Sequence, residues 1–399
     1  MTYRSLLIVS GLFHAFVGLR LVSGLGGHLL GQLLLVGWLL LSTLLMPLGV
    51  LGNRLLGQPW GDRVAWLGLL LMGYFSSVLV LTVLRDAVLL VLGLFDAGWS
   101  GELPWGVMYA NSVEWLLLAA FLVTALGFWN ARRTPVIKLV EVPIRGLPRA
   151  LVGFTVAQIT DIHVGPTIKH DYLQRIVERV NSIHADVVAV TGDLVDGTVP
   201  ELAAHVAPLA GLKSRHGTFF VTGNHEYYSG AQAWINELRR LGLTVLMNEH
   251  VVIYHGRAIQ NSNGFAGDAQ DDSQMMAPLV LAGVTDYSAH NFDPSHLSDP
   301  DLALEGAPET VPLRILLAHQ PRSAPAAAKA GFDLQLSGHT HGGQFYPWNF
   351  FVRFQQPYIA GLDRLGFMWV YTSRGTGYWG PPKRFGSPSE ITQIRLVAG

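Results

Sequence analysis

Cysteine is absent from all 399 residues. That excludes a disulfide framework, a thiolate metal site and a cysteine nucleophile. Lysine is absent from the first 130 residues, where five arginines and five acids are the only charged groups. Charge is scarce overall, at 14% of residues, against about a quarter in an average soluble domain. The shortage is local, because the other 22 basic and 23 acidic residues all lie from Arg132 onward. Two compositional regimes imply a helical domain over 1–130, a linker and first strand over 131–150, and a globular domain over 151–399. The near-neutral globular part has no basic stripe, which argues against a nucleic-acid partner.

Apolar residues fill the first stretch. Runs at roughly 5–24, 29–51, 64–84 and 107–129 each reach the ~20 helical residues needed to cross ~30 Å of hydrocarbon. They are apolar on every side, unlike helices of a soluble bundle. A multi-pass protein of the cell membrane is expected. The third run can continue past Arg85 and Asp86 into "AVLLVLGLF" as a long or broken helix. His14 and Glu114 are the only ionisable candidates for a transport path, and both are expected at helix ends. With four spans, Arg4, Arg54, Arg63, Arg132 and Arg133 share one side while Arg20 and Arg85 take the other. The positive-inside rule then puts the C-terminal domain in the cytoplasm, with Trp99 and Trp105 at the outer interface.

From residue 135 the pattern changes. "GFTVAQITDIH", "DVVAVTGD", "GTFFVTGNHE", "VLAGVTD", "LRILLAHQ" and "DLQLSGHTH" each read as a buried strand running into a polar loop. Helical periodicity separates them in "HDYLQRIVERVNSI", "ELAAHVAPLAGL" and "AQAWINELRRLG". Alternating strands and helices predict an α/β domain with its sheet packed on both sides, and ligands collect at the C-terminal ends of such strands. At five of those ends stand Asp161 and His163; Asp193 and Asp196; Asn224, His225 and Glu226; His319; and His339 and His341. Imidazole with carboxylate and one carboxamide suits Mn, Fe or Zn. The donors exceed the needs of one ion. Two ions a few Å apart, joined by a bridging carboxylate, activate hydroxide and clamp the oxygens of a phosphoryl displacement.

Taken in order, "DIH", "GDLVD", "GNHE", "AH" and "GHTH" resemble the five-block signature of the calcineurin-like metallophosphoesterases. "PVIKLVEVPIRGLP" and "GTGYWGPPKRFGSPSEITQIRL" look like its membrane-associated branch, which joins transmembrane helices to such a domain. The resemblance implies a two-sheet β-sandwich flanked by helices. It also implies two divalent or mixed-valence ions (Mn, Fe or Zn). Asp161, His163 and His341 would hold one, Asn224, His319 and His339 the other, and Asp193 would bridge. His225 would stabilise phosphoryl charge or protonate the leaving oxygen. Asp196 and Glu226 would orient the histidine ligands or His225.

The activity so implied is a membrane-anchored phosphohydrolase that cleaves a phosphodiester or pyrophosphate by attack of a metal-bridging hydroxide. Two alternatives stand beside it: a phosphomonoesterase acting on phosphoprotein, and a non-catalytic membrane scaffold or sensor. The aromatic segment "QFYPWNFFVRFQQPYIAG" (344–361), with Phe350 and Phe351, is either an apolar lip toward the bilayer for a lipid-linked phosphate or a packed loop. Arg322, Arg353, Arg374, Lys383 and Arg384 are the basic residues placed to neutralise substrate phosphate. Residues 260–278 are expected as a mobile loop near the site entrance or a solvent-exposed one.

Overall fold

The computed structural model describes residues 2–26, 28–99, 103–256 and 276–399. Most of the 260–278 loop therefore lies outside the described residues, as do Glu102 and the Trp99 side chain. The chain divides into two compact units, Met1–Arg132 with Gly380–Phe385, and Arg133–Trp379 with Gly386–Gly399.

The first unit contains α1 (Tyr3–Leu21), α2 (Leu29–Leu56), α3 (Trp60–Trp99) and α4 (Trp105–Arg132). Four helices of this unit are long and apolar enough to cross a membrane. The Thr2 hydroxyl starts α1 by accepting from Ser5 N–H. The third run is one unbroken helix of 40 residues, or ~60 Å at 1.5 Å per residue. It passes through Arg85 and Asp86 because neighbouring helices satisfy both charges. Arg85 donates to Ser112 Oγ at 2.7 Å and to the Tyr109 carbonyl at 3.2 Å, and Asp86 accepts from Arg20 at 2.6 Å. His14 is in the body of α1 rather than at its end. Its ring stacks on Phe75 with centroids 3.7 Å apart, and its nitrogens meet the Ser10 carbonyl and Ser42 Oγ. Glu114 likewise lies within α4. Close approach of α2 and α3 needs glycine: a Cβ on Gly68 would sit 2.3 Å from the Leu45 carbonyl and 2.6 Å from Gly49 Cα.

The second unit carries twelve strands: β1 (Val136–Ile144), β2 (Thr155–Ile159), β3 (Val187–Val190), β4 (Thr218–Phe220), β5 (Thr244–Val245), β6 (Glu249–Gly256), β7 (Met276–Gly283), β8 (Arg314–Leu317), β9 (Leu334–Ser337), β10 (Gly361–Leu365), β11 (Met368–Thr372) and β12 (Glu390–Ala398). Its helices are α5 (His170–Asn181), α6 (Val199–Val206), α7 (Asn224–Ser229), α8 (Ala231–Arg240) and α9 (Ala324–Ala330). The strands form two six-stranded sheets, ordered β1-β12-β2-β3-β4-β5 and β10-β11-β9-β8-β7-β6. These two sheets share a core, the two-sheet sandwich that the resemblance implies, where the strand–helix alternation alone suggested one sheet.

Strand alternation explains that core. Val187 and Ala189 of β3, with Val156 and Phe219, meet Leu279, Leu281, Ile315, Leu317, Leu334 and Leu336 of the other sheet. The intervening Val280, Ala282 and Leu316 point the other way, onto Ala324, Ala327 and Phe332. Burying each such aliphatic side chain contributes ~1.5–3 kcal/mol. Strands β2, β3, β4 and β5 run parallel, as do β7, β8, β9 and β11. Their C-terminal ends therefore open on one edge of the sandwich.

Candidate metal centre

At that edge the polar strand ends converge. Leaving β2, Asp161 and His163 take positive φ (53° and 56°); Asp193 after β3 does so at 51°, and His339 and His341 after β9 at 70° and 51°. Histidine and aspartate tolerate this left-handed conformation better than most residues. The turns draw the donors together. His163 Nε2 lies 3.0 Å from His341 Nε2, which lies 3.6 Å from Asp161 Oδ1. His319 Nε2 lies 3.1 Å from both His339 Nδ1 and Asp193 Oδ2. Asp193 Oδ2 is also 3.9 Å from His163 Nε2 and 4.0 Å from His225 Nε2, so it stands between the two histidine groups.

The donor set fits divalent cations. Ligands ~2.1 Å from one ion stand ~3.0–3.4 Å apart, the spacing of these nitrogen pairs. Asn224 Oδ1 is buried with no hydrogen-bond partner, a costly state for an acceptor that a cation would relieve. The surrounding bonds already aim the ligands. His319 Nδ1 donates to the Thr191 carbonyl at 2.8 Å, which leaves Nε2 as the free lone pair. Both Asp161 oxygens accept from His339 N–H, at 2.9 and 3.0 Å.

The same donors also favour or resist protons according to their neighbours. Burial would depress His319, but Asp193 and Asp161 outweigh it and hold the imidazolium well above its ordinary range. Burial would raise Asp193, yet His319 and His225 hold it well below the usual carboxylate range. Asp161 is raised, mainly by burial. His225 resists burial through Asp193 and Asp196 and is pushed up to about 9. Burial, then the neighbouring His319 charge, brings His339 down to about 3. A cation binding here displaces such protons.

Residues 154–343 match the calcineurin-like phosphoesterase family. A zebrafish (Danio rerio) transmembrane protein with metallophosphoesterase domain is 34% identical over 81% of this chain and 74% of its own length. The chain belongs to the calcineurin-like phosphoesterase family. A bovine (Bos taurus) protein of the same description is 38% identical over 71% of this chain, which spans 62% of that relative, less than two thirds. An uncharacterized metallophosphoesterase of Helicobacter pylori is 38% identical over 68% of this chain and 66% of its own length. The phosphoesterase domain is that of a metal-dependent phosphoric ester hydrolase, joined to apolar helices of a membrane protein.

Around the cluster, the phosphoesterase places the other expected residues as follows. Asp196 Oδ1 meets Nδ1 of both His163 (3.0 Å) and His225 (2.5 Å), so one carboxylate orients two imidazoles. Among the described residues, Glu226 makes no hydrogen bond to a histidine. Its carboxylate accepts from the backbone N–H of Gly223, Asp193 and Leu194 at 2.6, 3.0 and 2.7 Å, which pins the loop bearing Asp193. Burial and Asp193 push Glu226 up to about 7.

Arg374 is near the cluster, since a Cβ on Gly342 would meet its Cγ at 3.0 Å. Arg322 stacks over Tyr287 and adds to the charges that depress His339. Arg353, Phe350 and Phe351 are exposed. Lys383 and Arg384 belong with the helices: Lys383 Nζ donates to the Gly73 carbonyl at 3.0 Å and Ser77 Oγ at 2.5 Å, and Arg384 N–H to the Gly127 carbonyl at 2.8 Å. Their basic side chains in a Gly/Pro-rich loop resembled phosphate ligands, and nothing local in the sequence marks the helix packing. The rings of Tyr228 and Trp379 flank His225 with centroids 5.1 and 5.9 Å away. "GTGYWG" held the signal for Trp379.

Proposed function

We propose that the protein is a membrane-anchored two-metal phosphohydrolase that cleaves a phosphodiester or pyrophosphate carried by a lipid-linked substrate. Asp193 carries this reading, because its Oδ2 lies between the His163 and His319 groups where a bridging ligand must stand. Asp161, His163 and His341 would hold one ion and Asn224, His319 and His339 the other. Mn, Fe and Zn all suit the donors. When bound, such ions lower the pKa of water and take charge developing on phosphoryl oxygens.

The chain's own residues do the rest. Asp196 holds the His225 ring, so that His225 would give a proton to the departing oxygen. Arg374 would offset the remaining phosphate charge. A lipid-linked substrate is supported by an exposed aromatic patch. Rings of Tyr346 and Phe350, Trp348 and Phe351, and Phe351 and Phe354 lie within 6.5 Å of each other pairwise, and Phe354 is 81% exposed. Contiguous apolar surface of this kind marks contact with lipid or partners. Positive-inside charge would put the domain on the cytoplasmic side.

The test compares bis-p-nitrophenyl phosphate with p-nitrophenyl phosphate, using detergent-purified protein with Mn, beside His225→Ala and Asp193→Asn. Diester turnover lost in both variants supports the proposal; monoester preference replaces it with a phosphomonoesterase. Full turnover in Asp193→Asn overturns the bridging role. Phe350→Ser with Phe351→Ser should slow a lipid phosphodiester and spare the soluble one; equal loss on both removes the lipid substrate from the reading.

A further inference from the structure

A second cluster of metal-ligand type lies at the other end of the sandwich. Asp186 precedes β3, His216 precedes β4, and His255 lies near the end of β6, whose antiparallel partner β7 begins there with Met276 and Ala277. These are the edges opposite the C-terminal strand ends. His216 Nε2 stands 3.1 Å from His255 Nδ1, and His255 Nδ1 stands 3.7 Å from Asp186 Oδ1. All three offer atoms within one ion's reach.

We propose that Asp186, His216 and His255 form a second, independent cation site, taking one borderline divalent ion such as zinc, with water completing its shell. Spacing is the first argument. The 3.1 Å nitrogen pair repeats the separation of His319 from His339 and of His163 from His341 in the phosphoesterase cluster. Two histidines and a carboxylate are a donor set that zinc accepts at four-coordinate geometry.

Division of labour at Asp186 is the second. Its Oδ2 accepts from Thr155 N–H and Oγ–H, both at 2.9 Å, which fixes the carboxylate and turns Oδ1 toward His255. Phe154 supports both rings, edge-on to His255 at 4.9 Å and parallel to His216 at 6.2 Å. Charge is consistent as well. Arg215 is the neighbouring cation, and its guanidinium is tied to the Gly256 carbonyl at 2.7 Å, while Asp186 supplies the compensating negative charge. The ion would clip β6 of one sheet to the β3 and β4 entries of the other.

The experiment uses the full chain in detergent, stripped with chelator and titrated with zinc, with bound metal counted by mass spectrometry after desalting. Wild type should retain one equivalent more than His216→Asn or His255→Asn, and both variants should keep Mn-dependent hydrolysis within about twofold. Equal zinc content in all three overturns the site and leaves a plain histidine–histidine hydrogen bond. A second readout needs no variant: zinc should protect the wild-type peptides carrying His216 and His255 from diethyl pyrocarbonate. Unprotected peptides at saturating zinc also overturn it.

Discussion

Gly223→Ala tests whether the metal cluster is held by steric closeness. Gly223 has φ −101° and ψ −177°, an extended conformation open to any residue, so alanine meets no backbone penalty. The added Cβ would lie 2.2 Å from Asp193 Oδ1 and 2.5 Å from Asp193 N. Ordinary contact starts near 3.4 Å, so the carboxylate must retreat by more than an ångström. It has nowhere easy to go. Oδ1 accepts from His225 N–H at 2.9 Å, Oδ2 faces His319 at 3.1 Å, and Glu226 pins the backbone N–H at 3.0 Å.

A misplacement of about 1 Å at a reacting centre costs on the order of 100-fold, and metal ligands tolerate only about 0.2 Å. We therefore expect kcat/KM for bis-p-nitrophenyl phosphate to fall ~100-fold or more, with bound Mn reduced. Overpacking should cost only ~1–3 kcal/mol of stability, so the variant stays folded by circular dichroism. Wild-type turnover together with wild-type metal content would refute the claim that Asp193 must sit where the structure has it.

Two further outcomes follow from single contacts. Asp196→Asn exchanges a carboxylate that orients His163 and His225 for an amide; Mn-dependent activity should drop ~10–100-fold, and an unchanged Mn titration would dismiss the orienting role. Gly68→Leu should force α2 and α3 apart and lower the detergent melting temperature, whereas Gly37→Leu, with open space around its Cβ, should leave it unchanged.

The strand ends were legible because a short β-branched run followed at once by Asp, Asn or His is a local pattern. The same pattern misleads at "VLAGVTD". Asp286 there accepts from Ser288 and Gln320 and joins no ligand group among the described residues. Histidine density, not the strand end alone, separated the two. The division into two sheets was invisible in the strands, because parallel strands buried on both faces read as unbroken apolar runs. Val187 to Val190 is such a run, though its alternate residues serve different layers. Long-range partners were equally hidden. His14 was expected at a helix end because its distant partner Ser42 comes within reach only once α1 meets α2. Lys383 meets Gly73 from 310 residues away.

Glycines in the motifs suggested sharp turns, but the ligands themselves also bear the unusual backbone. Of eight non-glycine residues with positive φ among those described, Asp161, His163, Asp193, His339 and His341 are five. Each left-handed residue costs roughly 1–2 kcal/mol, so the cluster holds strain comparable with a domain's whole stability of ~5–15 kcal/mol. Such strain persists only where surrounding structure enforces it. Truncation gives a signed test. His163→Gly and His163→Ala lose the same imidazole, but only alanine keeps the Cβ strain, while glycine adds ~0.4–1 kcal/mol of unfolded-state entropy. Glycine should then be the more stable variant at 163 by ~0.5–1 kcal/mol, or a few degrees in melting temperature. At His319, where φ is not positive, the order should reverse and alanine should melt higher. The same order at both positions would show that the loops relax when a ligand is removed, and that the strain belongs to the histidine side chain rather than to the backbone that presents it.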